Sequence, residues 1–202
     1  MTEVSSLTGR LLVATPALTD PNFARAVVLL LDHDEEGSLG VVLNRPTPIG
    51  VGDILGSWAG LIGEPGVVFQ GGPVSLDAAL GVAVIPGGEG PRPGPPSGPG
   101  GAERTGPVGW RRVHGAIGLV DLETPPELLA AALGSLRIFA GYAGWGPGQL
   151  ENELTEGAWY VVESEPGDVS SPDPEGLWRA VLRRQRSELA MFATYADDPS
   201  LN

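Results

Sequence analysis

The stretch RIFAGYAGWGPGQLENELTEGAWYVV, residues 137–162, decides how the rest of the chain is read. Ile138, Phe139 and Ala140 form an apolar strand leading in, and Trp159, Tyr160, Val161 and Val162 form another leading away. Between them Gly141, Gly144, Gly146 and Gly148 predict a turn, because glycine enters backbone conformations that a β-carbon closes off. Pro147 suits the first position of a helix, and Gln149 to Leu154 fit roughly two turns ended by Gly157. Strand, turn, acidic helix and strand together make one unit of βαβ size. Tyr142 and Trp145 fall inside the predicted turn. Two large amphipathic rings there point to a surface or pocket edge, since a plain connection does not need them.

Working outward, Leu7 to Ala14 reads as a first strand, followed by a turn or helix start at Asp20 to Asn22. The run AVVLLL, residues 26–31, has the pattern of a strand buried on both faces. It leads through Asp32, His33, Asp34, Glu35 and Glu36 into Leu39 to Leu43, a hairpin with an acidic, solvated tip. Asn44, Arg45 and Pro46 stop that strand. Val67 to Gln70 is another strand, stopped by Gly71, Gly72 and Pro73, and Asp77 to Ile85 and Ile117 to Val120 are two more. Helices are predicted at Val51 to Trp58, Pro125 to Leu133 and Glu175 to Arg186, and a loop at Asp168 to Pro174. Strands in clusters, with helices not alternating strictly, give an α+β fold with a curled mixed β-sheet, partly barrel-like and flanked by short helices. The whole chain, 1–202, reads as a single domain. Residues 86–107, almost all Gly, Pro, Ser and charge, read as a flexible insertion within it.

Composition narrows the function. The net charge of −13 opposes broad contact with a phosphate backbone, so nucleic acid is not an expected partner. The absence of cysteine removes thiolate chemistry and cysteine-held metals. No window is apolar for the roughly 18 residues of a membrane span, and no basic, apolar leader opens the sequence, so the expectation is a cytoplasmic protein without membrane contact. With histidine only at 33 and 114 and no lysine, neither HExxH nor a P-loop is possible. No serine lies in G-x-S-x-G.

No metal, cofactor or catalytic residue is therefore assigned. The glycine turn before the helix suits an anion cradle or a purely structural turn, and Glu151 and Glu153 one turn on disfavour the anion. If Asn44–Pro46 and Gly71–Pro73 share a sheet end, their turns converge on Tyr142 and Trp145. That would line a small-ligand or peptide site with Asn44, Arg45, Gly71, Gly72, Tyr142, Trp145, Gln149 and Glu151. Equally, these are the turns such strands need. Arg179, Arg183 and Arg186 read as a basic helix face complementing a helix C-terminus.

Four segments carry a family resemblance: residues 7–46 (LTGRLLVATPALTDPNFARAVVLLLDHDEEGSLGVVLNRP), residues 69–74 (FQGGPV), residues 141–154 (GYAGWGPGQLENEL) and the helix around Trp178. In this order they resemble the AlgH/YqgE family of bacterial proteins. His33, Asn44, Pro46, Gly71, Gly72, Gly141, Tyr142, Trp145, Gln149, Glu151 and Glu153 match its pattern. The resemblance implies a compact α+β domain of a family of uncharacterised cytosolic proteins, one branch of which is named for a proposed transcriptional-regulator role. The expectation is a non-catalytic domain that binds a small molecule, peptide or protein. The rivals are a regulator, although no helix-turn-helix pattern is present, and a hydrolase using Glu151 or Asp34 as a base.

Overall fold

Leu11–Ala14 form β1, and all four side chains are fully buried. Leu11 and Val13 join one apolar cluster, Leu12 and Ala14 another, as side chains alternating across a strand must. Val27–Asp34 (β2) repeats the division, with Val27, Leu29 and Leu31 in the first cluster and Val28 and Leu30 in the second. The unbroken apolar run is thus a strand covered on both faces. The computed structural model describes residues 6–86, 109–185 and 188–194. The predicted insertion, beyond Pro86, lies outside them, as does Arg186.

Gly37–Val42 (β3) returns from β2 as the acid-tipped hairpin. There follow β4 (Pro46–Gly50), β5 (Val67–Gln70), β6 (Val74–Val84), β7 (Trp110–His114), β8 (Ile117–Val120), β9 (Ser135–Trp145) and β10 (Trp159–Val162). The sheet runs β10-β1-β2-β3-β9-β6-β8-β7; off this path β4 pairs antiparallel with β5, and β5 is joined in parallel to β9. All other pairings are antiparallel. The ten strands of the described residues form one curled sheet, a half-barrel with a few short helices, which is the α+β class expected. Four antiparallel steps separate β9 from β10, so the two run parallel. Gln149–Thr155 (α1) is the crossover between them, and the βαβ reading of this stretch holds.

The glycine turn does not form where expected. β9 continues for 11 residues through Gly141 to Trp145, and the chain leaves it only at Gly146. Gly141 takes φ +74, which lets the strand bulge without ending, while residues 75–78 of β6 loop out opposite it. A β-carbon on Gly141 would stand 2.7 Å from the carbonyl oxygen of Gly72.

Helical expectations divide by how much surface each segment buries. Leu177–Arg183 (α3), within the helix expected at Glu175 to Arg186, buries Leu177, Trp178, Val181 and Leu182 against the first cluster. Pro125–Leu133 tucks only Leu129 fully inside while Leu128 is exposed, so no helical stripe exists and only a 3₁₀ turn at Pro126–Leu128 forms. Val51 to Trp58 likewise breaks into 3₁₀ segments at Val51–Asp53 and Gly56–Leu61, burying Val51 and Trp58 against the third cluster. The loop expected from Asp168 is part of a short helix, Pro166–Val169 (α2). A reciprocal cap closes it, with the Asp168 carboxylate accepting from the Glu165 amide at 2.7 Å.

Candidate functional site

One edge of β9 is shared: β5 lies beside residues 139–140 and β3 beside residues 143–145. Where β3 and β5 meet, the turns that end them come together. The Val42 amide donates to the Gly71 carbonyl and the Gly71 amide to the Ala140 carbonyl, both at 2.8 Å. The Gln70 amide donates to the Arg45 carbonyl at 2.8 Å. Gly72 packs so closely that a β-carbon would lie 2.1 Å from the Tyr142 carbonyl carbon. Asn44, Arg45, Gly71, Gly72 and the backbone of Tyr142 are therefore neighbours.

Asn44 is buried, and its amide faces inward. Its Oδ1 accepts from the Val27 amide at 3.0 Å and its Nδ2 donates to the Arg25 carbonyl at 2.8 Å. Arg25, whose carbonyl is the second anchor, has φ +58, a left-handed conformation that costs a side-chain-bearing residue about 1–2 kcal/mol. The guanidinium of Arg25 lies 4.3 Å from the centre of the buried Trp178 ring, whose Nε1 donates to the Ala14 carbonyl at 2.9 Å. Arg45 is half-buried and donates through Nη2 to the Ala24 carbonyl at 2.5 Å. Burial lowers its pKa from the ordinary guanidinium value.

Arg45 separates two hollows. One, of about 320 Å³, is bounded by Arg25, Asn44, Arg45, Glu175, Trp178 and Arg179. The other, of about 80 Å³, is bounded by Asn22, Arg45, Gln70, Gly72 and Pro73. A third, of about 470 Å³, shares Pro46 and Glu175 with the first and continues over Thr47, Pro48, Pro65 and Val67. Together they make a trough along the seam between β4, the 20s loop and the start of α3.

Trp145 lies elsewhere. Tyr142 packs with the first cluster and Trp145 with the second, on the opposite face of the sheet, so the two rings share no wall. Trp145 is 6% exposed, edge-on to Trp159 at 6.1 Å, and its Nε1 donates to Glu153 Oε2 at 2.6 Å. Gln149 caps its own turn by accepting from the Gly146 amide at 3.1 Å. Glu151 turns toward the β2–β3 hairpin. The eight-residue constellation read from the sequence thus falls into a group at the strand ends (Asn44, Arg45, Gly71, Gly72 and Tyr142), of which Asn44, Arg45 and Gly72 line the trough, and a separate group under and on α1 (Trp145, Gln149 and Glu151).

The profile of the AlgH-like family matches residues 11–190. The chain belongs to that family. A UPF0301 protein of Streptomyces coelicolor is 81% identical over 202 residues, spanning 100% of this chain and 98% of that protein. A UPF0301 protein of Thermobifida fusca is 51% identical over 206 residues, spanning 98% and 96%. Among solved structures, protein DIP2367 of Corynebacterium diphtheriae has a TM-score of 0.82 at 29% identity, covering 96% of this chain and 95% of its own. The solution structure of AlgH from Pseudomonas aeruginosa has a TM-score of 0.63 at 26% identity, with 97% coverage of each. No helix of the described residues is long and apolar enough to cross a membrane.

In this AlgH-like chain the hairpin histidine is not solvated. His33 is 4% exposed because it pairs across the hairpin with Ser38 and faces α1. Its Nδ1 is 2.6 Å from Ser38 Oγ and its Nε2 is 3.4 Å from Glu151 Oε1. Among the described residues no group of three or more His, Cys, Asp or Glu could hold a metal ion. His114 is exposed. Three lining residues of the trough had no signal pointing to it. Arg25 stands before a strand, and Trp178 and Arg179 read as helix faces, so only tertiary contact brings them to Asn44 and Arg45.

Proposed function

We propose that this AlgH-like chain is a non-catalytic binding or regulatory domain of the cytoplasm that takes a small ligand or a peptide in the trough at Arg45. The observation that carries this is Arg25, held in a left-handed backbone conformation by Asn44 and stacked on Trp178 beside a half-buried Arg45. Strain of that kind persists only where surrounding bonds enforce it, and it concentrates at binding sites. Arg45 and Gly72 are the proposed contacts, while Asn44 and Gly71 act as positioning residues. The test is to equilibrate the purified chain with a small-molecule extract, separate it by gel filtration and identify what it retains by mass spectrometry. Arg45→Ala should lose the retained species while melting near the wild-type temperature. Retention equal to wild type would remove the trough as the site.

A second reading rests on Ser38, His33 and Glu151, whose hydroxyl, imidazole and carboxylate lie in line at 2.6 and 3.4 Å. That order of groups is the one in which a base activates a hydroxyl nucleophile and a carboxylate orients the base. It supports a hydrolase with Glu151 in the orienting role. A fluorophosphonate adduct on Ser38, abolished by His33→Asn, is the expected result. An unmodified Ser38 ends this reading.

A further inference from the structure

Arg25, Arg45 and Arg179 border the part of the trough around Trp178, and among the described residues Glu175 is the only carboxylate that lines it. Three guanidinium groups against one carboxylate make a local positive excess on a chain whose net charge is −13. Arg25 and Arg179 also have protein partners of their own. Arg45 differs: among the described residues its guanidinium is in no ion pair with a carboxylate, and the one hydrogen bond it donates is to the Ala24 carbonyl. A guanidinium carries five N–H donors in a planar fork that matches two oxygens of a carboxylate or phosphate. Such a group, half-buried without a carboxylate partner, retains a desolvation cost that a bound anion would offset.

The neighbouring hollow has a different chemistry. Pro46, Pro48, Pro65, Pro174 and Val67 line it together with Thr47, Asp173 and Glu175, and it shares Pro46 and Glu175 with the arginine-lined part. Hollows of about 320 and 470 Å³ side by side match the range of small-molecule sites, about 300–1,000 Å³. Resting on the binding reading above, we infer that the ligand is a small molecule with an oxyanion head, phosphate or carboxylate, seated at Arg45 and a flat apolar body lying over the prolines.

The test uses the full chain, isotopically labelled, titrated in separate arms with phenyl phosphate, benzoate, inorganic phosphate and phenol at constant ionic strength. Amide shifts are read by NMR. One of the two amphiphilic anions should saturate and move Asn44, Arg45 and Thr47 together, and the stronger of them names the head group. Inorganic phosphate should bind at least tenfold more weakly, and phenol should not bind. Arg45→Gln should weaken the anion at least tenfold, and Arg45→Lys, which keeps the charge but not the fork, should recover part of it. Equal binding by Arg45→Gln, saturable phenol binding, or anion shifts confined to residues outside the trough would overturn the inference. If neither anion binds but the extract still yields a ligand lost in Arg45→Ala, the anionic head is wrong and the binding reading stands.

Discussion

Asn44 and Arg25, 19 residues apart, are braced together by one side-chain amide: Asn44 Nδ2 holds the Arg25 carbonyl at 2.8 Å while its Oδ1 holds the Val27 amide at 3.0 Å. The end of β3 therefore fixes both the start of β2 and the strained residue before it. Asn44→Ala removes both bonds inside the protein and should cost about 2–4 kcal/mol, read by urea denaturation. Arg25→Gly removes the left-handed strain together with the cation on Trp178. Its stability should stay within about 1 kcal/mol of wild type while ligand retention falls.

Glu153 holds the core beneath α1. Its Oε2 accepts from Trp145 at 2.6 Å and from Trp159 at 3.1 Å. Glu153→Ala leaves two indole donors unpartnered in apolar surroundings and should destabilise by about 2–3 kcal/mol. A near-ultraviolet circular dichroism change from the tryptophans should accompany it.

Asp168 is buried and receives both Arg184 nitrogens, the second at 2.7 Å, while capping α2 through the Glu165 amide. The hydrogen bonds that Arg184 donates to the Asp168 carboxylate raise the Arg184 pKa, so the pair keeps its cation at every accessible pH. Asp168→Ala leaves a guanidinium half-buried with its main partner gone. The expected cost is about 3–5 kcal/mol, seen as a lower urea midpoint with an unchanged slope.

Arg137, 4% exposed on β9, crosses to two loops by donating to the Glu64 and Ser171 carbonyls at 3.2 and 2.8 Å and lies 4.4 Å over the Phe69 ring. Burial pushes its pKa down to about 10, which leaves it charged at neutral pH. Arg137→Lys cannot span both carbonyls from one ammonium and loses the planar stacking. A loss of about 1–3 kcal/mol is expected in urea.

Much of this was legible from local pattern. AVVLLL announced a strand buried on both faces, and the acid-tipped hairpin, the βαβ unit and α3 follow from periodicity alone. What misled was Gly141: a glycine that permits a turn also permits a bulge, and only pairing with β6 and β3 decides between them. That choice carried Trp145 from a supposed surface into the core. The meeting of Asn44–Pro46 with Gly71–Pro73 was legible as a possibility, because both stop apolar strands. The contributions of Arg25 and Trp178 were not, because they are separated by 153 positions and joined only by packing. His33 read as solvated because its neighbours are acidic, although its cross-strand partner Ser38 and Glu151 on α1 enclose it.

The central claim is that ligand recognition sits at Arg45 and that the Trp145 ring is structural. The decisive measurement compares ligand retained per folded molecule in Arg45→Ala and Trp145→Phe, with melting temperature taken on the same samples. Arg45→Ala should melt near wild type and retain no ligand, whereas Trp145→Phe should melt several degrees lower and retain ligand at the wild-type ratio. Full retention by Arg45→Ala, or loss by Trp145→Phe at an unchanged melting temperature, would contradict it.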